Sequence, residues 1–326
     1  MHTAWLPYWS FGAAYRTVVA NADLFRTASP FWYAARSCTS IVAHDGAGSA
    51  WAVDGLHARG VAVVPTIASH LGPAATVACL GDPRTRRRHV AAVLRIARSH
   101  GYDGIDLDYE HLALTRRPAM AARVRDAYTA FVEQLCAVLR AEGRQCVVTV
   151  MPRVDDRVTV WRDRLIPAVY DYEALGAAAT RVRVMAYDQH APNTRPGPIA
   201  GLPWVRAVAR YAGSTVPPGK VELGVPLYGR DWSGGTASTV TARAARALAA
   251  RHGATVTYDG TQRAPWFRYR VAGRTHTVWF SDAASVRDRG ALAAAEGLAG
   301  LALWAAGQEE PATWPALRRA AASRSS

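Results

Sequence analysis

Strand-like and helix-like segments alternate eight times along the 326 residues, the pattern of a parallel sheet with crossover helices. Hydrophobic residues make up 50% of the chain, enough for a substantial core. A barrel of this kind needs about 250 residues, which leaves room for an insertion. Together these observations predict an α/β chain folded as a (β/α)8 TIM barrel, with a small α+β insertion between strands seven and eight. Eight such units favour a closed barrel over an open doubly wound sheet. Residues 1–326 read as a single barrel, and 229–282 as a module inserted within it.

The strands are expected at about Ala4–Tyr8, Ser29–Tyr33, Val61–Ile67, Gly104–Glu110, Cys146–Met151, Val182–Tyr187, Val221–Leu227 and Leu298–Trp304. Asp82-Pro83 supplies an N-cap and a first-turn proline, and Val90, Val93, Leu94 and Ala97 form one apolar stripe behind it. Gly101 ends that helix as a C′ glycine. A second helix carries Val124, Tyr128, Phe131, Leu135, Val138 and Leu139 and stops before Gly143. In the inserted stretch, Pro265–Arg270 and Thr275–Phe280 alternate on either side of Gly273, which predicts a hairpin. No internal repeat, low-complexity segment or long linker is visible, and the Ser-rich terminus near Ser323 reads as a disordered tail.

The formal net charge is +14, which raises the question of an anionic partner. Lys220 is the only lysine, and the arginine bias with many alanines reflects a G+C-rich coding background as much as function. The basic run Arg84–Arg88 lies just after a helix start, with no aromatic residues interleaved, so it reads as a solvated helix face and no nucleic-acid partner is expected. No run of 18 or more apolar residues occurs, so no membrane span is expected. The four cysteines, Cys38, Cys79, Cys136 and Cys146, form no C-x-x-C pair. Zinc and redox motifs are therefore not indicated, and buried free thiols are the expectation, with a Cys136–Cys146 pair left open. Met1-His2-Thr3 leads directly into the first strand, with no charged and apolar leader before it. A mature or trimmed chain, or one not exported by a standard signal, would read this way.

The segment Asp103–Glu110, Asp-Gly-Ile-Asp-Leu-Asp-Tyr-Glu, is the most informative in the chain. In a strand, side chains two apart share a face. Asp106, Asp108 and Glu110 then point one way and Ile105, Leu107 and Tyr109 the other. The acids would stand at roughly 6–7 Å intervals, where mutual repulsion and burial raise carboxyl pKa values. Such a row suits a site that holds one carboxylic acid protonated near neutral pH. Asp103 falls out of parity and reads as a structural hydrogen-bonding residue.

This motif resembles the Asp-x-x-Asp-x-Asp-x-Glu signature of glycoside hydrolase family 18, the chitinase-like hydrolases. Met185-Ala186-Tyr187-Asp188, two strands on, matches the family's Met-x-Tyr-Asp, and Trp304 stands where members carry the tryptophan that floors the sugar subsite. Pro30–Tyr33, Leu223–Gly229 and Val278–Asp282 also have family counterparts. In detail the chain looks most like the bacterial branch with spore-cortex-lytic N-acetylglucosaminidases. It lacks the LysM modules common there, and keeps Asp106 where that branch often has Asn.

The resemblance implies a retaining hydrolase of β-1,4 bonds beside N-acetylglucosamine, acting by substrate-assisted catalysis without metal or other cofactor. Glu110 would be the general acid and then base. Asp108 would orient the substrate's acetamido N–H, Asp106 would pair with Asp108, and Tyr187 would hold the acetamido carbonyl. Trp304, Asp188, Met185, Trp9, Trp32 and Met151 are candidate substrate-binding residues, with Arg153 a further cleft candidate. The expected partner is an N-acetylglucosamine-containing polysaccharide, either peptidoglycan or chitin, met by a monomer at the cell envelope or outside the cell. A sugar-binding lectin on the same fold is the alternative, though lectins of this family have often lost the acid that Glu110 supplies. No G-x-S-x-G, H-E-x-x-H or Walker motif competes, and the ten histidines read as surface or packing residues.

Overall fold

The computed structural model describes residues 1–156 and 166–322; the expected disordered terminus near Ser323 lies outside them. The strands are β1 (His2–Pro7), β2 (Phe25–Phe31), β3 (Tyr33–Ala35), β4 (Ile41–Ala43), β5 (Ala62–Val63), β6 (Thr66–Ser69), β7 (Gly104–Asp108), β8 (Gln145–Val150), β9 (Arg181–Val184), β10 (Val221–Pro226), β11 (Tyr228–Ser233), β12 (Thr236–Thr241), β13 (Thr257–Asp259), β14 (Ala264–Val271), β15 (Arg274–Phe280) and β16 (Gly300–Trp304). The α-helices are α1 (Phe11–Ala20), α2 (Ala50–His57), α3 (Pro73–Thr76), α4 (Pro83–Ser99), α5 (Pro118–Ala141), α6 (Tyr172–Ala178), α7 (Leu202–Thr215), α8 (Ala242–Arg251), α9 (Ala283–Ala295) and α10 (Thr313–Ala322).

The barrel closes because two of its eight strands are each built from two pieces. β2 pairs with β5, β3 with β6, and β6 with β7. The pieces are separated at Trp32 and at Val64-Pro65, where proline offers no N–H to a ladder. The ring continues through β8, β9, β10 and β16 and returns to β1, every pair parallel.

The expected outward row of the acid-rich strand faces the helices. Ile105, Leu107 and Tyr109 are fully buried, and the Tyr109 ring stacks on Phe131 of α5 at 5.7 Å. The Tyr109 hydroxyl meets Nε2 of His89 from α4 at 2.6 Å. Asp82 caps α4 by accepting from the backbone N–H groups of Arg84 and Thr85, while Val90, Val93, Leu94 and Ala97 form the buried stripe. Gly101 follows the helix with φ +66°.

The insertion is larger than one hairpin. Its five antiparallel strands run in the order β12-β11-β15-β14-β13, and the β14–β15 turn places Gly273 at φ +76°. Helix α8 covers one face, setting Ala242, Ala245 and Ala249 against Phe267, Tyr269, Val278 and Phe280.

Three expectations need correction. The cysteines are not free: Cys38 is bonded to Cys79, and Cys136 to Cys146. Packing brings their Cα atoms to 5.3 Å and 5.2 Å, within disulfide reach. β7 ends at Asp108 rather than Glu110, because Glu110 turns to helical backbone and starts a short 3-10 turn. β9 ends at Val184 rather than Tyr187, because the N–H groups of Ala186 and Tyr187 bond back to the carbonyls of Val184 and Met185.

Asp103 ties the third barrel strand to the fourth: its carboxylate accepts from the Val63 N–H at 2.6 Å and meets His57 Nε2 at 2.8 Å. Asp103→Ala should cost about 1–2 kcal/mol, the scale of an unsatisfied, partly buried N–H, read as a lower urea midpoint. An unchanged midpoint would show that solvent replaces both contacts.

Candidate active site

A cavity of about 520 Å³ opens at the C-terminal ends of the barrel strands, where barrel enzymes place their chemistry. Asp108 and Glu110 line it, as do Met185, Tyr187 and Asp188 from the segment after β9, and Trp304 from the end of β16. Trp5, Trp9 and Phe31 complete an aromatic wall. The Trp304 ring centroid lies 5.8 Å from Trp5, 6.3 Å from Trp9 and 5.5 Å from Phe31, each edge to face.

Asp106 lies below the cavity and is fully buried. Its Oδ2 accepts from Trp5 Nε1 at 2.9 Å, Thr66 Oγ1 at 2.7 Å and Arg183 Nη1 at 2.9 Å, and its Oδ1 from Thr149 Oγ1 at 2.8 Å. Four donors thus bond the two oxygens of Asp106. Arg183, itself buried, also donates through Nε to Glu222 at 2.7 Å and through Nη1 to Ser29 at 2.7 Å. Thr3 closes the network with a 2.9 Å bond to Glu222. Seven barrel strands thus each direct at least one polar side chain into this interior layer.

Asp108 has no such compensation. Its Oδ1 is buried without a hydrogen-bond partner. Burial first, then the charges of Glu110 and Asp106, push its carboxyl well above the ordinary range, and Arg183 only partly opposes them. Asp108 therefore favours its protonated form in this structure. Burial also raises the Tyr187 hydroxyl well above its usual value, so it keeps its proton and can donate into the cavity.

Residues from the insertion enter the site. Asp188, at φ +56°, accepts from the Tyr228 hydroxyl at 2.5 Å and from Arg230 Nη2 at 2.6 Å. Tyr228, Arg230 and Thr239 also line the cavity. Sequence reasoning does not place these residues in the site, nor Trp5, Phe31, Thr149 and Gln308. Alternation could have found Phe31 and Thr149, whereas Arg230 and Thr239 lie in a module with no assigned register.

Three expected residues are placed elsewhere. Trp32 is fully buried between Phe11 and Tyr102, with ring centroids at 5.2 Å and 6.1 Å. Neighbouring side chains on extended chain face opposite ways, so Phe31 takes the cavity position. Met151 lies past the end of β8, where its carbonyl accepts from the Tyr172 hydroxyl, and it does not line the cavity. Arg153, the further cleft candidate, stacks over Tyr211 and pairs with Asp156 instead. Among the described residues, Cys38, Cys79 and His89 are the one group spaced to share a metal ion, and the two sulfurs are bonded to each other.

Arg183→Met should cost about 3–5 kcal/mol, since it strands two buried carboxylates; a loss under about 1 kcal/mol in chemical unfolding would show the layer to be hydrated. Asp108 gives a pH signature of opposite sign to a salt-bridged acid. Its folded pKa lies above its unfolded one, so the native state holds the extra proton, and stability falls as pH rises from the unfolded value through the folded one. Asp108→Asn should flatten that fall, and Tm against pH for the two proteins should diverge on the alkaline side. Parallel curves would contradict the raised carboxyl.

The chain matches the family described as "Glycosyl hydrolases family 18" over residues 58–309. It is 31% identical over 242 residues to the cortical fragment-lytic enzyme of Bacillus subtilis (strain 168), covering 72% of this chain and 53% of that protein. The chain spans about half the length of the first curated relatives it matches. A crystal structure of chitinase from Chromobacterium violaceum ATCC 12472 superposes with a TM-score of 0.86 at 27% identity, covering 98% of this chain and 99% of that one. The Bacillus cereus spore cortex-lytic enzyme SleL has the same fold, with a TM-score of 0.86 at 24% identity over 98% of this chain and 73% of that one. By sequence and by architecture, the chain belongs to glycoside hydrolase family 18, with chitinases and cortex-lytic enzymes among its relatives.

Proposed function

We propose that the protein is a retaining glycosidase that cleaves β-1,4 bonds beside N-acetylglucosamine by substrate-assisted catalysis. The observation that carries this reading is the meeting of Asp108, Glu110 and Tyr187 in one cavity, against the aromatic wall of Trp304. Glu110 protonates the glycosidic oxygen as the leaving group departs. The substrate's 2-acetamido oxygen attacks the anomeric carbon, giving an oxazolinium-type intermediate. Asp108 accepts the acetamido N–H through its carboxyl carbonyl oxygen and so orients the group, and the Tyr187 hydroxyl donates to the acetamido oxygen. Glu110 then takes a proton from the incoming water, whose oxygen opens the intermediate on the original face, so configuration is retained.

Trp304 and its neighbours offer apolar edges and faces to a pyranose ring, and Asp188, held by Tyr228 and Arg230, supplies an acceptor at the cavity rim. Peptidoglycan and chitin both carry the required 2-acetamido group. Relatives named for cortex lysis and for chitin support each in turn.

Mass spectrometry of products from N-acetylated chito-oligosaccharides and from peptide-stripped peptidoglycan strands tests the reading with native protein and Glu110→Gln. Cleavage by native protein alone, lowered at least about 10²-fold by the substitution, is expected for loss of a general acid. The preferred substrate would assign the polymer. Binding without cleavage by either protein would make the molecule a lectin, and inversion at the anomeric carbon in the first turnover would exclude the acetamido mechanism.

A further inference from the structure

His89 is a buried titratable group that the proposed mechanism leaves unused. It lies on α4, fully buried, with both ring nitrogens engaged. Nδ1 meets the Cys38 carbonyl at 2.7 Å, and Nε2 meets the Tyr109 hydroxyl at 2.6 Å. A carbonyl can only accept, so Nδ1 donates to it and Nε2 accepts from the Tyr109 hydroxyl. Burial holds the imidazole below the ordinary histidine range, which keeps the ring neutral near neutral pH and this pattern of bonds intact. Cys38 is in turn bonded to Cys79, so the histidine rests on a cross-linked part of the chain.

Tyr109 connects this anchor to the site. It stands between Asp108, where the pairing of β7 with β6 and β8 ends, and Glu110, whose backbone is already helical. The Tyr109 hydroxyl is held by His89, and its ring packs against Tyr128 and Phe131 with centroids at 5.7 Å each. Its carbonyl accepts from the hydroxyl of buried Tyr170 at 2.8 Å. The Glu110 carbonyl accepts from the Ala113 N–H at 3.0 Å, which closes the turn that follows. Tyr109 is therefore fixed at its tip, its ring and its backbone, one peptide away from the acid that lines the cavity. His89, Tyr109 and Tyr170 do not themselves line it.

Building on the proposed function, we infer that His89 is a positioning residue for Glu110. Through the Tyr109 hydroxyl it sets how the strand end turns, and so where the Glu110 carboxyl meets the glycosidic oxygen. Proton transfer to a leaving group requires hydrogen-bond reach, and a misplacement of about 1 Å is enough to cost about 10²-fold in rate. His89 exchanges no proton with substrate itself, because it faces α5, where its ring lies 5.1 Å from that of Phe131.

The leaving group separates acid placement from a general loosening of the site. Native protein, Tyr109→Phe and His89→Gln would be compared on two substrates, with circular dichroism to verify folding. N-acetylated chitohexaose has a leaving sugar that needs a proton, whereas the phenolate of 4-nitrophenyl N,N′-diacetylchitobioside leaves with little help. In both variants kcat/KM should fall about 10- to 100-fold for the hexamer and by less than about threefold for the aryl glycoside. The double variant should lose no more than the worse single one, as for two residues acting through one bond. Equal losses on the two substrates, additive losses in the double variant, or an unchanged hexamer rate in folded Tyr109→Phe would each overturn the proposal. Where native protein cleaves neither substrate, the proposed function is judged separately on peptidoglycan strands. Crystal structures of native protein and Tyr109→Phe then decide the positioning alone, and a Glu110 carboxyl displaced by less than about 0.5 Å would count against it.

Discussion

The buried guanidinium of Arg183 is the interaction on which the interior of this barrel depends. Two carboxylates, Asp106 and Glu222, sit in the same buried layer and share that one cation. Burying ionised groups costs several kcal/mol each unless geometry and hydrogen bonds compensate. Here Thr3, Ser29, Thr66, Thr149 and the Trp5 indole supply the additional hydrogen bonds. The layer is nearly saturated, and that saturation is what makes Asp108 different. Asp108 lies one step up the strand, with the charge of Asp106 close by and Arg183 already engaged. Its preference for the proton follows from position.

The same logic extends to the cavity's other wall. Asp188 has left-handed backbone, a conformation asparagine and aspartate tolerate better than most residues. Its carboxylate is held by Tyr228 and Arg230, which lie on the first strand of the inserted sheet, so the module forms part of the cavity wall. The antiparallel sheet fixes Arg230 opposite both Thr239 and Trp279, which gives the cavity a rigid side.

Much of this architecture is legible in the amino-acid sequence. Eight alternating units imply the barrel, and period-two parity divides the acids from Ile105, Leu107 and Tyr109. Parity fails where the strands stop. Glu110 reaches the cavity from a turn, and Trp32 turns into the core because Phe31 holds the inward position. The Arg183–Glu222 pair has no local signature: its members lie 39 residues apart on strands that otherwise read as apolar. The Cys38–Cys79 disulfide is illegible for a related reason, since its two cysteines lie 41 residues apart in the chain.

The order of the acids along one chain segment explains how a single site can hold opposite proton demands. Depth sets the solvent available to each group, and the deepest acid, Asp106, meets the fixed cation. The next, Asp108, is largely buried with Arg183 already engaged below it, and its carboxyl favours the proton. Glu110 lines the cavity from beyond the end of the strand. Exchanging Asp106 and Asp108 in depth would reverse their roles without changing the composition of the site. The spacing of two residues is thus a physical requirement: one residue more or less would turn an acid out of the barrel, onto the face that Ile105 and Leu107 pack against the helices.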